Sequence, residues 1–218
     1  MENQNHFIVF EWIDWCWKDT QMMLFVDKLR KYNKYAQIFI TREPSKTTSF
    51  WRKIAYKLLN WWFKSAIEAL ELYLSDRILR SSLYKNVLLY SNIVISRYHL
   101  STYAYQWVQW LSFDEINNKI KFLESKFKLN IVKPSITFLF DVDVNTVLIR
   151  IYWRWEKIEA FETEEQLKKA KEIYLKACDY LKSNWENIVI INANKSIKEV
   201  QKNVWDEYIK FLEKQKEV

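Results

Sequence analysis

The sequence predicts an α/β fold: one five-stranded parallel sheet with helices on both faces, in three layers. Two observations carry this. Five short runs are apolar and β-prone, as strands covered on both faces must be. Between successive runs lie stretches with apolar residues at helical spacing. No linker, repeat or low-complexity segment interrupts the 218 residues, so residues 1–218 read as a single domain with enough mass for a real core.

The elements follow in order. Residues 6–11 (HFIVFE) form the first strand, and 18–32 a helix through Met22, Phe25, Val26 and Leu29. Residues 36–41 (AQIFIT) are the second strand, with helices at 50–60 and 64–90. Residues 92–96 (NIVIS) are the third strand. Residues 113–127 form an amphipathic helix capped by Ser112. Pro134 marks the boundary of a fourth strand at 135–141 (SITFLFD). A helix follows at 144–152, and another at 163–181, where Thr163 and Gln166 have capping-box spacing. A fifth strand at 186–192 (ENIVIIN) and a helix at 196–214 complete the chain. A ligand site is expected at the carboxyl ends of the strands.

Composition narrows the function classes. Half of the residues are hydrophobic and 28% are charged, which excludes a disordered tail. No apolar run approaches the roughly 18 residues that span a bilayer. The first six residues lack the basic start and apolar stretch of a secretory signal, and Cys16 and Cys178 make no disulfide framework or metal-type spacing. The expected compartment is the cytoplasm. The net charge of +7 is spread over helices with interleaved Glu, as in residues 156–171, and reads mostly as solvated face.

The composition has one anomaly. Glycine is absent, where a background of about 7% would give roughly 15, and tryptophan numbers 12. Trp205 alone is in phase with a helical apolar stripe, with Ile209 and Leu212. The other eleven, at 12, 15, 17, 51, 61, 62, 107, 110, 153, 155 and 185, stand at turns or element ends. Glycine is the usual residue there because it takes positive φ without steric penalty. We read these eleven as tryptophans at glycine positions. A Trp-rich binding surface is the weaker reading, since binding aromatics cluster on one face rather than on scattered turns.

The first strand runs into WIDWCWKDT at residues 12–20. Phosphate binding needs a strand, a tight loop of backbone N–H groups, a lysine and a helix N-terminus facing the anion. Lys18 stands where that lysine belongs. With glycine at Trp12, Trp15 and Trp17 the segment would read as a P-loop, FEGIDGCGKDT. The hydroxyl that usually follows the lysine is replaced by Asp19, with Thr20 one residue later.

Further motifs extend the pattern. They are TREP at 41–44, YLSDR at 73–77, RYHLSTYAYQW at 97–107 and FDVD at 140–143. Taken in this order, the chain resembles the thymidylate kinases, P-loop nucleoside monophosphate kinases, over nearly its whole length. The resemblance implies a P-loop NTPase-like fold and transfer of a phosphoryl group from ATP to dTMP with Mg²⁺. It implies that Trp12, Trp15, Trp17, Lys18, Asp19 and Thr20 line the ATP phosphates, with Lys18 at the transferred group. Asp14 and Thr20 would lie near Mg²⁺, with Asp14 also near the acceptor's sugar and phosphate. Arg42 and Arg97 would bind the acceptor phosphate. Tyr73 would stack on thymine, Arg77 would hydrogen-bond it, and Tyr105 would stand where a 2′-hydroxyl projects. Residues 150–162 would form a lid carrying Arg154, with Arg150 or Lys157, over the phosphates. The partners implied are small nucleotides, with neither nucleic acid nor membrane, and the assembly is open between monomer and homodimer.

This chain departs from the family pattern at several places. Ser96 stands where the family has the Asp of DRY, and Ser45 where a Gly follows TREP. The lid run Glu156-Lys157-Ile158-Glu159 has Lys in place of Arg. Indoles at 12, 15 and 17 would fill the space a phosphate needs, so the chain as written is expected to be inactive. Two other readings stand beside this one: a non-catalytic, basic and aromatic-rich nucleic-acid binder, and a P-loop kinase of another nucleotide.

Overall fold

In the computed structural model, residues 5–11, 17–44, 48–59, 63–107, 111–152, 163–184 and 186–217 are described, apart from the side chains of 58, 59 and 105–107. The strands are β1 (Phe7–Glu11), β2 (Ile38–Arg42), β3 (Asn92–Ser96), β4 (Ile136–Asp141) and β5 (Ile188–Asn192). The helices are α1 (Lys18–Tyr32), α2 (Ser49–Leu59), α3 (Ala66–Leu88), α4 (His99–Trp107), α5 (Phe113–Phe127), α6 (Val144–Tyr152), α7 (Glu164–Ser183) and α8 (Ile197–Lys216).

The sheet order is β2-β3-β1-β4-β5 and every pairing is parallel. Phe7 pairs with Ile93 and Phe10 with Ser96, which sets the ends of β1 and β3 side by side. Alternation along β1 divides the core. Ile8 and Phe10 face α1 and α8, where Phe10 lies 5.5 Å from Phe25, ring centre to ring centre. Phe7 and Val9 face the opposite way, onto Tyr84 of α3 and Tyr98. Helices therefore cover both faces, as the apolar strands require.

Capping explains several boundaries. Ser112 and Ser196 each form a reciprocal capping box, with Glu115 and Glu199. Ser65 caps α3 by accepting from the Glu68 N–H. Thr163 accepts from the Gln166 N–H, and among the described residues the return bond is not made, so only half of the expected box forms. Trp205 is buried against Phe25 and Tyr208, as its place in the apolar stripe of α8 requires. Cys178 is buried, which pushes its thiol up to about 11. Helix α4 was not expected as an element: its segment is rich in Ser, Thr and Tyr, which carry weak helical signal. Among the described residues no helix is long and apolar enough to cross a membrane.

Candidate functional site

The carboxyl ends of β1, β2 and β3 bring together Lys18, Asp19, Arg42 and Ser96. Lys18 is the first residue of α1 and is only 3% exposed. A buried ammonium must be paired or hydrogen-bonded. Its Nζ donates to Asp19 Oδ1 at 2.7 Å and to Ser96 Oγ at 2.5 Å. Ser96 Oγ in turn donates to Asp19 Oδ1 at 2.6 Å, closing a triangle. Partial burial opposes ionisation of Asp19, and the charge and hydrogen bond of Lys18 lead the effects that together outweigh it. The Ser96 hydrogen bond and the Arg42 charge add to that effect, and the carboxyl is held below its usual range. Thr20 is exposed one residue on.

Trp17 precedes Lys18 as the cap residue of α1, with φ 61° and ψ 19°, the left-handed region. A side chain there costs about 1–2 kcal/mol, which glycine avoids. Trp17 supplies no side-chain cap to the helix. Its indole instead lies under the Arg150 guanidinium, 3.7 Å from the ring centre, and Arg150 Nη2 donates to the Ala193 carbonyl at 2.9 Å.

The TREP and YLSDR segments meet in a buried ion-pair network. Arg77 Nε donates to Glu43 Oε2 at 2.7 Å, Nη1 donates to Thr102 Oγ1, and the guanidinium lies 4.8 Å from the Tyr98 ring centre. Glu43 Oε1 accepts from the Tyr84 hydroxyl at 3.1 Å, and Arg80 Nε donates to that hydroxyl at 2.8 Å. Arg80 Nη2 reaches Thr41 Oγ1 at 3.0 Å. The Glu43–Pro44 peptide is cis, and the Glu43 N–H donates to the Ser96 carbonyl at 3.1 Å. Asp76 accepts from Thr48 Oγ1, and burial pushes its carboxyl up, aided by Glu43.

Glu11 ends β1 fully buried and receives the N-terminus of α4. It accepts from the N–H of Tyr98 at 2.7 Å, the N–H of Ser101 at 3.1 Å and the Ser101 hydroxyl at 2.6 Å. A carboxylate at a helix start satisfies orphan N–H groups and matches the helix dipole. Arg97 sits at φ 64° between β3 and α4, with its N–H on the Phe10 carbonyl at 2.9 Å. On the β4 side, Lys171 bridges Asp141 at 2.6 Å and Asp143 at 3.6 Å.

A lysine at the start of the helix that follows a central strand, near the charge of Arg42 at the end of β2, can hold an anion. The family model described as thymidylate kinase matches residues 10–204. The chain belongs to the thymidylate kinase family. It is 34% identical to a probable thymidylate kinase of Methanocaldococcus jannaschii, over 92% of this chain and 94% of that protein. It is 34% identical to a thymidylate kinase of Sulfurihydrogenibium, over 92% and 95%. Among solved structures, the thymidylate kinase of Candida albicans matches with a TM-score of 0.67 at 21% identity, covering 95% of this chain and 93% of that one. That of Ehrlichia chaffeensis matches with a TM-score of 0.65 at 22% identity, covering 94% and 98%. These two structural likenesses support the fold.

Among the thymidylate kinase residues expected from sequence, Trp17, Lys18, Asp19, Thr20, Arg42, Tyr73, Arg77 and Arg97 are described, and Tyr105 lies in α4 without its side chain. Trp12, Asp14, Trp15 and Arg154 fall outside the described residues, as do positions 153–162 of the expected lid. Tyr73 is half-buried on α3, one turn from Arg77. Sequence reasoning assigned no role to Glu11 or Glu43. The signal for Glu11 was a carboxylate ending an apolar strand; Glu43 follows the charged Arg42 one residue past β2 and carried no such signal.

Among the described residues no group of three or more carboxylate, imidazole or thiol side chains gathers to hold a metal ion. A Mg²⁺ that arrives on nucleotide phosphates needs only one or two protein oxygens. The exposed Thr20 beside Asp19 fits that limited demand.

Proposed function

We propose that this chain is a dTMP kinase scaffold, one domain with a lid at about 150–162, whose phosphate loop is blocked as the sequence stands. The observation that carries the reading is Lys18 at the junction of β1 and α1, preceded by Trp17 in a left-handed conformation that suits glycine. Membership of the thymidylate kinase family supports ATP as donor and dTMP as acceptor.

In the active form, an oxygen of the dTMP phosphate attacks the γ-phosphorus of ATP. The bond from that phosphorus to the β,γ-bridging oxygen breaks, giving dTDP and ADP. Mg²⁺, when bound with the nucleotide, neutralises phosphate charge, and Asp14 and Thr20 would hold it. Lys18 stabilises charge on the transferred group, and Arg42 and Arg97 hold the acceptor phosphate by guanidinium forks. Tyr73 stacks on thymine, and Tyr105 crowds the 2′ position. Arg77 reads the base through Nη2, since Nε and Nη1 are committed to Glu43 and Thr102. Arg154 closes with the lid. Trp153 and Trp155 would hinder that closure.

The blocked state follows from sterics. Backbone N–H groups wrap a phosphate only if the loop can approach it; indoles at 12 and 15 would take that space, and Trp17, with its ring on Arg150, would hold the start of α1 without the freedom of glycine. Coupled ADP-release kinetics test the reading on a variant with glycine at all eleven positions, offered dTMP, dCMP, dGMP and dUMP. Turnover confined to dTMP and dUMP supports it. Equal turnover of all four would assign another acceptor, and no turnover at all in a folded variant would end the kinase reading.

A further inference from the structure

Two departures from the family pattern stand 77 positions apart in sequence and touch in the structure. By the resemblance drawn from the sequence motifs, Asp19 stands in the place of the hydroxyl residue after the P-loop lysine, and Ser96 in that of the carboxylate that opens DRY. Both side chains bond the same ammonium, that of Lys18, and Ser96 Oγ donates to Asp19 Oδ1 at 2.6 Å. Taken singly, each departure disturbs the site: one adds a negative charge to a phosphate loop, the other removes one from the end of β3. Taken together they leave one carboxylate and one hydroxyl around Lys18.

We propose that Asp19 and Ser96 are an exchanged pair, in which carboxylate and hydroxyl have traded places across Lys18, and that Asp19 is the positioning residue that fixes the Lys18 ammonium. The inference rests on the phosphate role proposed for Lys18. The register carries the geometry: Phe10 pairs with Ser96, so the end of β3 lies beside the turn into α1. Lys18 is almost fully buried, so its three ammonium protons must find acceptors inside the protein. Asp19 and Ser96 supply two of them. The side chain of Asp19 is 56% exposed, so its carboxylate also meets solvent, and the Arg42 charge acts on it as well. One carboxylate thus bonds the lysine meant for the donor phosphate and feels the charge of an arginine meant for the acceptor phosphate.

The test is a double-mutant cycle of Asp19→Ser, Ser96→Asp and the two combined. One readout is the thermal unfolding midpoint, and the other is the protected ¹⁵Nζ signal of the Lys18 ammonium. Neither needs turnover, so a failure of the kinase reading stays separate from a failure of this one. Asp19→Ser should lower the midpoint by about 3 °C or more and abolish the protected signal. The combined variant should regain most of the midpoint and the signal. A combined variant that loses the sum of the two single losses would overturn the pairing. Should Asp19→Ser fail to fold, Asp19→Asn replaces it, and an unchanged ammonium signal in that variant would equally overturn the positioning role.

Discussion

The guanidinium of Arg150 lies 3.7 Å from the ring centre of Trp17, whose backbone holds φ at 61°. The contact couples the start of α1 to the end of α6. The stacking is favourable by about 0.5–2 kcal/mol, while the left-handed conformation costs about 1–2 kcal/mol. The two terms nearly cancel.

It follows that Trp17→Gly should leave the unfolding free energy within about 1 kcal/mol of the parent, losing the stack and the strain together. Trp17→Ala should be less stable than Trp17→Gly by about 1 kcal/mol, because it keeps the strain and loses the stack. Urea unfolding of the three proteins checks this order. An alanine variant as stable as the glycine variant would remove backbone strain from the account.

The Arg77–Glu43 pair is buried, and truncating one partner leaves the other charge uncompensated. Arg77→Ala should cost about 3–5 kcal/mol of stability, and Arg77→Ala with Glu43→Gln should cost less than the sum of the two single changes. In the glycine-restored protein, Arg77→Ala should also raise the KM for dTMP more than that for ATP. Equal changes in both constants would take Arg77 out of the acceptor site.

Asp76 gives a pH signature. Burial raises its folded pKa above the unfolded value of about 3.9. A raised folded pKa means that the neutral form favours folding, so this contribution is present below the unfolded pKa and fades as pH rises through the folded one. Relative to wild type, Asp76→Asn should therefore gain in unfolding midpoint between pH 4 and pH 7. A constant difference across that range would show that Asp76 does not titrate abnormally.

Glu11 holds the start of α4 through two backbone N–H groups and one hydroxyl. Glu11→Ala should cost about 3 kcal/mol by leaving buried donors unsatisfied, with hydrogen exchange in α4 rising first. Unchanged protection of α4 would mean that the helix start has another anchor.

Much of the fold was legible because parallel strands buried on both faces leave continuous apolar runs, and 92–96 and 113–127 matched to the residue. The miss at α4 came from a segment whose aromatic and hydroxyl residues serve packing and hydrogen bonds rather than a clear apolar stripe. Trp17 was legible as a glycine position, and its φ of 61° agrees with that reading. The triangle of Lys18, Asp19 and Ser96 was not legible. Its members were seen as separate departures, and only the register of β1 against β3 brings them together. The commitment of Arg77 to Glu43 was hidden for the same reason, since the two lie 34 residues apart on different elements.

The proposal to test first is that tryptophan in place of glycine at 12, 15 and 17 would disable a phosphate-binding loop. Calorimetric titration of ATP with Mg²⁺ tests it most directly, on the chain as written and on Trp12→Gly, Trp15→Gly, Trp17→Gly combined. The chain as written should give no detectable heat of binding, and the triple variant should bind measurably. Micromolar binding by the chain as written would contradict it, because the loop would then wrap phosphate with its large side chains turned to solvent.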